Sequence, residues 1–543
     1  MAGVLGALLS ATAAQAGTRE ASVSDRLQDR RAVVAGTRAY SEGFEDGRFY
    51  ANGWHITGEM GGIWTPPLKL ADGVWFGVDG QWVGQATKFT SGRGYTRYTL
   101  PPQDGLSLTR TDFVPDGGRA ALLGLDLHNP AGTAKTVSVS VDAHSELMGA
   151  WPWGTDTGRG RPSAEDDLPD TGSFDGNALV FRDQGALPGS PNHDWAALVG
   201  SPLTPSSGQT GPGFRGPQPG TVCPASDGKS MPSACDDGPY GHGTGGEMVY
   251  RVTVPAGGDK TVWIAVAGSD QGLAPAQKEL AAAIKSPDKA LAAKMATREA
   301  LAKQSVVSLP GDRMLQRSIA WGKQNLADLT QSARDLQIRW SNQGKDEFGQ
   351  VLGTVKSATF FGAGYPDYPW LFATDGEYTN FAAVAVGQFD TAEAHLRALR
   401  DVSELLNGKD SGVVAHETVT NGSVYYGHDS KTVKDGTAVN DFNTDELVKF
   451  PSAVALIWRW TGDTAFMKDM YTFSRRTAHT AVDRLDADHD GWPEGSGNVE
   501  RTGMGAEKLD NAAYLIRGLG DLADMARARG DANTVNWATT TAA

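Results

Sequence analysis

Between residues 40 and 270 apolar and polar residues alternate in short runs. Examples are GVWFGVDGQWVG (73–84), LSLTRTDFVP (106–115), KTVSVSVDAHSEL (135–147) and MVYRVTVPAGGDKTVWIAVAG (248–268). A period of two between Gly, Asn and Pro breaks predicts antiparallel strands. Their number predicts a large antiparallel β-sandwich over residues 22–270. Residues 151–245 interrupt it with a stretch rich in Gly, Pro and Asp, which reads as a loop-rich insert.

The period then changes. Residues 271–309 are rich in Ala, Lys, Glu and Leu and predict a helical linker. From 310 onward apolar residues recur at i, i+3 and i+4, which predicts six helices near 313–336, 376–388, 391–406, 446–460, 464–485 and 509–529. The connections alternate between long (338–375, 407–445, 486–508) and short (389–390, 461–463). A stack of helical hairpins puts short turns on one face and long loops on the other, and sites are built on such loops. The expected fold class is α+β: a β-sandwich, then an (α/α)6 toroid over 310–543 of which about half is present. The chain ends soon after the sixth helix, so it reads as C-terminally truncated.

The chain has 543 residues, 40% of them apolar, enough for several cores. A net charge of −15 argues against a nucleic-acid partner and suits a neutral substrate. MAGVLGALLSATAAQAG resembles the apolar core and small-residue cleavage site of a secretory signal peptide, residues 1–16, and implies a secreted protein. No later segment is apolar enough to span a membrane. In that compartment Cys223 and Cys235, close together in one loop, read as a disulfide. Oligomeric state is not legible.

The long connections hold the candidate chemistry. GYPDYPWLFATDGEYTNF (364–381) sets Trp370 beside Asp375 and Glu377. GVVAHETVTNGSVYYG (412–427) and NDFNTDELVKFPSAV (440–454) hold His416, Glu417, Tyr425 and Asp445. LDADHDGWPEGSG (485–497) holds Asp486, Asp488, Asp490, Trp492 and Glu494, and the next segment holds Glu500, Glu507 and Asp510. Aromatic rings beside carboxylates suit sugars: ring faces cover C–H surfaces and carboxylates accept from hydroxyls. The bland readings are core aromatics, helix caps and first-turn charges. They explain single residues but not the recurrence in each long loop.

These motifs resemble the six-hairpin glycosidases, the superfamily of bacterial glucoamylases, glycogen-debranching glucosidase domains and trehalase-like enzymes. PWLFATDGEY resembles the entry to the helix whose Asp binds the sugar next to the scissile bond. HETVTNGSVYYG and NTDELVKFP resemble loops of the debranching-type branch, and DHDGWPEGSG resembles the superfamily's loop after the fifth helix. The resemblance covers about residues 310–530 and implies a secreted enzyme that hydrolyses α-glucosidic bonds with inversion. Its general acid would fall on Glu507 or Asp510, and its base would lie beyond residue 543. Inversion requires a protonated acid and a second carboxylate about 6.5–9.5 Å away to activate water. Trp370, Asp375, Glu377, His416, Glu417, Tyr425, Asp445, Trp492 and Glu494 would contact substrate. No cofactor is implied beyond structural Ca2+. Asp486, Asp488 and Asp490 match the first positions of a calcium loop, and position twelve is Gly497 rather than an acid. A carbohydrate-binding fragment without catalysis and a polysaccharide lyase are the alternatives. A lyase of this build places its toroid first and works with basic residues.

Overall fold

The computed structural model describes residues 20–50, 52, 59–149, 168–185, 192–217, 242–340, 350–365, 368–424, 444–495, 497 and 505–543. The chain divides into two compact units, Met1–Asp328 and Leu329–Ala543.

The first unit is built on two antiparallel sheets. A nine-stranded sheet runs in the order Glu20–Val23, Lys88–Gly92, Tyr95–Gln103, Leu106–Phe113, Ala120–His128, Asp259–Ser269, His193–Gly200, Ala178–Gly185, Thr171–Phe174. An eight-stranded sheet centres on Leu68–Val78, Lys135–Ser145 and Gly245–Val254. Alternation sorts the side chains. Leu123, Leu125, Val262, Ile264 and Val266 join Val74, Phe76, Val139 and Val141 in one core shared by both sheets. Leu122, Ala265 and Ala267 point the other way, onto Ala276 and Leu280 of helix α1 (Leu273–Ile284). Helices α2 (Pro287–Lys303) and α3 (Arg313–Asp328) complete the unit.

Two expectations are corrected here. The stretch read as a loop-rich insert contributes three strands, Thr171–Phe174, Ala178–Gly185 and His193–Gly200, to the edge of the nine-stranded sheet. Their Gly, Pro and Asp flanks hid the alternation of ALVF and WAALVG. The helix expected over 313–336 ends at Asp328, and Thr330–Trp340 is a strand. It pairs with Gly353–Gly364, which pairs in turn with Tyr368–Phe372, so the first long connection is mostly sheet. Asp335, with φ of 52°, interrupts the ladder between Arg334 and Leu336, opposite Lys356, without shifting the register. It breaks the alternation after Ala333, which is why the strand was not visible.

The second unit places six described helices on this small sheet: α4 (Ala373–Ala385), α5 (Phe389–Asn407), α6 (Thr444–Thr461), α7 (Thr464–Arg484), α8 (Leu509–Arg529) and α9 (Ala532–Thr541). They pack as hairpins α4/α5, α6/α7 and α8/α9, with α6 between α4 and α8. Each hairpin turn holds a glycine with positive φ: Gly387, Gly462 and Gly530. Asp463 and Asp531 then cap α7 and α9 by accepting the Phe466 and Thr534 N–H groups at 2.9 and 3.1 Å. Leu336, Ile338, Phe360 and Leu371 of the sheet pack against Ala398 and Val402 of α5. Three hairpins are thus described; closure into a ring is not part of the described structure.

Candidate functional site

The first turns of α4, α6 and α8 point toward the long connections, and each carries acids: Asp375, then Asp445 and Glu446, then Asp510. Carboxylates there meet the positive ends of three helix dipoles. Asp375 is solvent-exposed, yet protein atoms crowd it, and this loss of hydration raises its carboxyl above the ordinary range while His416 pulls it back.

Lys449 ties the three helices together. Its Nζ donates to Asp445 Oδ2 at 2.8 Å and lies 3.4 Å from Thr374 Oγ1. The ammonium sits 4.5 Å from the ring centre of Tyr378 on α4 and 5.2 Å from that of Tyr514 on α8. The two tyrosines meet edge to face at 5.8 Å. Tyr378 is partly exposed, so an aromatic surface backed by a buried cation faces outward. Burial first, then the bond to Tyr514, raises the Tyr378 hydroxyl above its usual range. Lys449, Tyr378 and Tyr514 were missed from sequence. Their spacing merges with the apolar stripes, and the one available signal was Lys449 four residues after Asp445.

His416 Nδ1 is hydrogen-bonded to the Glu446 carboxylate, and its ring lies edge-on to Phe372 at 5.3 Å. Its carbonyl accepts the Ala373 N–H at 3.0 Å, fixing the entry to α4. Glu417 is fully buried in a two-residue strand opposite Phe372.

The chain shares its fold with a carbohydrate-active enzyme. That protein, titled "Putative kojibiose phosphorylase from human microbiome", superposes with a TM-score of 0.52 at 9% identity, over 97% of this chain and 69% of its own. A bacterial glucoamylase complexed with acarbose gives 0.45 at 11% identity over 97% and 65%. A family 92 glycosyl hydrolase gives 0.37 at 13% over 83% and 50%. No protein-family model and no curated protein matches the chain.

Trp370, expected to stack on sugar, is fully buried and stacked on Phe372 at 5.9 Å. It is core, because no ring face is left open. Glu377 is also buried, on the inner face of α4. Tyr425, Glu500, Cys223, Cys235 and residues 1–16 lie outside the described residues.

The loop after α7 is organised by its own carboxylates. Asp486 accepts the Asp490 and Gly491 N–H groups, both at 3.0 Å, and Asp490 accepts that of Trp492 at 2.8 Å. Single carboxylate oxygens of Asp486, Asp488 and Asp490 lie within 4.8 Å of one another, close enough to share a cation. The backbone amides already occupy much of that acceptor capacity. Glu494 caps the Ala487 N–H with its carboxylate at 2.9 Å, while its carbonyl accepts from Thr444 Oγ1 at 2.7 Å. It is therefore a joint between loop and α6. Trp492 is exposed beside it.

The two candidate acids fall into different groups. Glu507 bridges Glu494 through the backbone, is exposed, and has its carboxyl raised chiefly by the charge of Asp490. Asp510 lies with the other helix starts, where its charge acts on Tyr378 together with that of Asp445.

Proposed function

We propose that the chain belongs to a secreted glycoside hydrolase that cleaves α-glucosidic bonds in oligo- or polysaccharides with inversion. The observation that carries this reading is the convergence of first-turn carboxylates from α4, α6 and α8 beside the Tyr378–Tyr514 surface. In this reading Asp375 holds the sugar next to the scissile bond through its hydroxyls, and the tyrosine faces cover its C–H surface. His416 is oriented by Glu446 to donate to a further hydroxyl. Asp510, or Glu507 from the adjoining loop, protonates the leaving oxygen, and a second carboxylate, unassigned among the described residues, activates water. The fold shared with a kojibiose phosphorylase and the motifs of the long loops support α-glucosides as substrates.

Maltose, kojibiose, trehalose and maltooligosaccharides, supplied with and without phosphate, test this. Glucose released without phosphate, initially as the β-anomer by NMR, is the expected result. Turnover that requires phosphate, or none on any of these sugars by the full-length protein, would sink it.

A further inference from the structure

Helix α4 turns Glu377 and Asn380 inward, one turn apart, on the side away from Asp375 and Tyr378. Glu377 is 1% exposed and Asn380 0%. Among the described residues, neither carboxyl oxygen of Glu377 and neither amide atom of Asn380 has a hydrogen-bond partner. His395 of α5 packs against the same face: a Cβ on Gly376 would lie 1.8 Å from its Nε2. His395 Nδ1 accepts the Phe361 N–H at 3.3 Å, which puts the proton of the neutral ring on Nε2. That Nε2 is also buried, and among the described residues it makes no hydrogen bond of normal geometry, although the Phe372 carbonyl is near enough to pull the ring's pKa up.

Folded chains rarely leave so many buried polar atoms unmatched, and each such group calls for a partner. The chemistry of the set narrows what the partner is. Burial pushes the Glu377 carboxyl well above its ordinary range, toward the protonated form, and lowers His395 to about 4, against a smaller upward pull from the Phe372 carbonyl. The groups thus offer a carboxyl O–H, two amide N–H bonds and a ring N–H, mixed with carbonyl-type acceptors. A cation would meet mostly donors. Water, which both gives and accepts, matches the mixture. We propose that Glu377, Asn380 and His395 form a buried site for bound water beneath the first turn of α4, the turn that carries Asp375. The site does not depend on what the outer face binds.

A crystal structure of the full chain, at a resolution that places water, tests this directly. Two or more ordered waters within hydrogen-bond distance of the Glu377 carboxyl and the Asn380 amide are expected. Empty density there, or a single anomalously scattering ion, would overturn it. In parallel, Asn380→Leu leaves such waters short of partners and lowers Tm by about 2–4 °C. If Asn380→Leu instead raised Tm, the site would be dry and the proposal wrong.

Discussion

Lys449 and Asp445, one helical turn apart on α6, form a 2.8 Å ion pair whose side chains are 4% and 6% exposed. In so dry a place the pair adds little net stability, since desolvating both charges offsets their attraction. Removing one partner is a different matter. Lys449→Met strands a buried carboxylate and is expected to cost about 3–5 kcal/mol in urea unfolding. Adding Asp445→Leu should recover more than half of that loss. A Lys449→Met protein of unchanged stability would show that the pair is hydrated.

Asp375 is exposed, and no side-chain hydrogen bond ties it to another of the described residues. Asp375→Asn should lower kcat/KM on the productive α-glucoside by about 100-fold or more, with Tm within about 2 °C of wild type. A fall in Tm that tracks the loss of activity would return Asp375 to a structural role.

The proton donor is assigned by comparing amide variants. Asp510→Asn is expected to lower kcat by about 100-fold or more and Glu507→Gln by less, because Asp510 stands with the other helix starts. Glu500→Gln completes the series. A loss confined to that variant would move the donor there.

Buried titratable groups give the helical unit a defined pH response. Burial raises the folded Glu377 carboxyl well above its ordinary value of 4.5, at which the unfolded chain ionises. Its burial therefore costs nothing below pH 4.5 and progressively more as pH rises above it. Glu377→Gln should gain on wild type as pH rises above 4.5, by up to about 1.4 kcal/mol per pH unit. His395 acts in the opposite direction: its folded value of about 4 against an ordinary 6.5 makes stability fall as pH drops through that window. Parallel Tm–pH curves for Glu377→Gln and wild type would contradict the assignment.

At the turn after α7, Asp486→Ala deletes two acceptors of backbone N–H groups and should cost about 1–2 kcal/mol. Because those acceptors are engaged, millimolar Ca2+ is expected to move Tm by less than about 1 °C. A larger rise, lost in Asp486→Ala, would establish a cation there.

Much of the helical unit was legible. The stripe in LDNAAYLIRGLGDLADMARAR matches α8 end to end, and α7 differs by one residue. The strand Thr330–Trp340 was not legible, because it follows α3 without a Gly or Pro and its alternation is broken at Asp335. Within the site, polarity marked Asp375, His416 and Asp445. It misled at Trp370, since the sequence cannot say whether an aromatic beside a carboxylate faces outward. Tyr378, Lys449 and Tyr514 are brought together only by the packing of three separate helices, which no local pattern encodes.

The hairpin turns at Gly387, Gly462 and Gly530 lie at the helix ends away from the carboxylates, and at two of them an aspartate cap follows at once. Helix spacing is thereby set at one end of the stack, while recognition is assembled at the other. The arrangement divides labour between a fixed chassis and an adaptable rim: connections between hairpins can be lengthened, shortened or exchanged without resetting the pitch of the helices that present them.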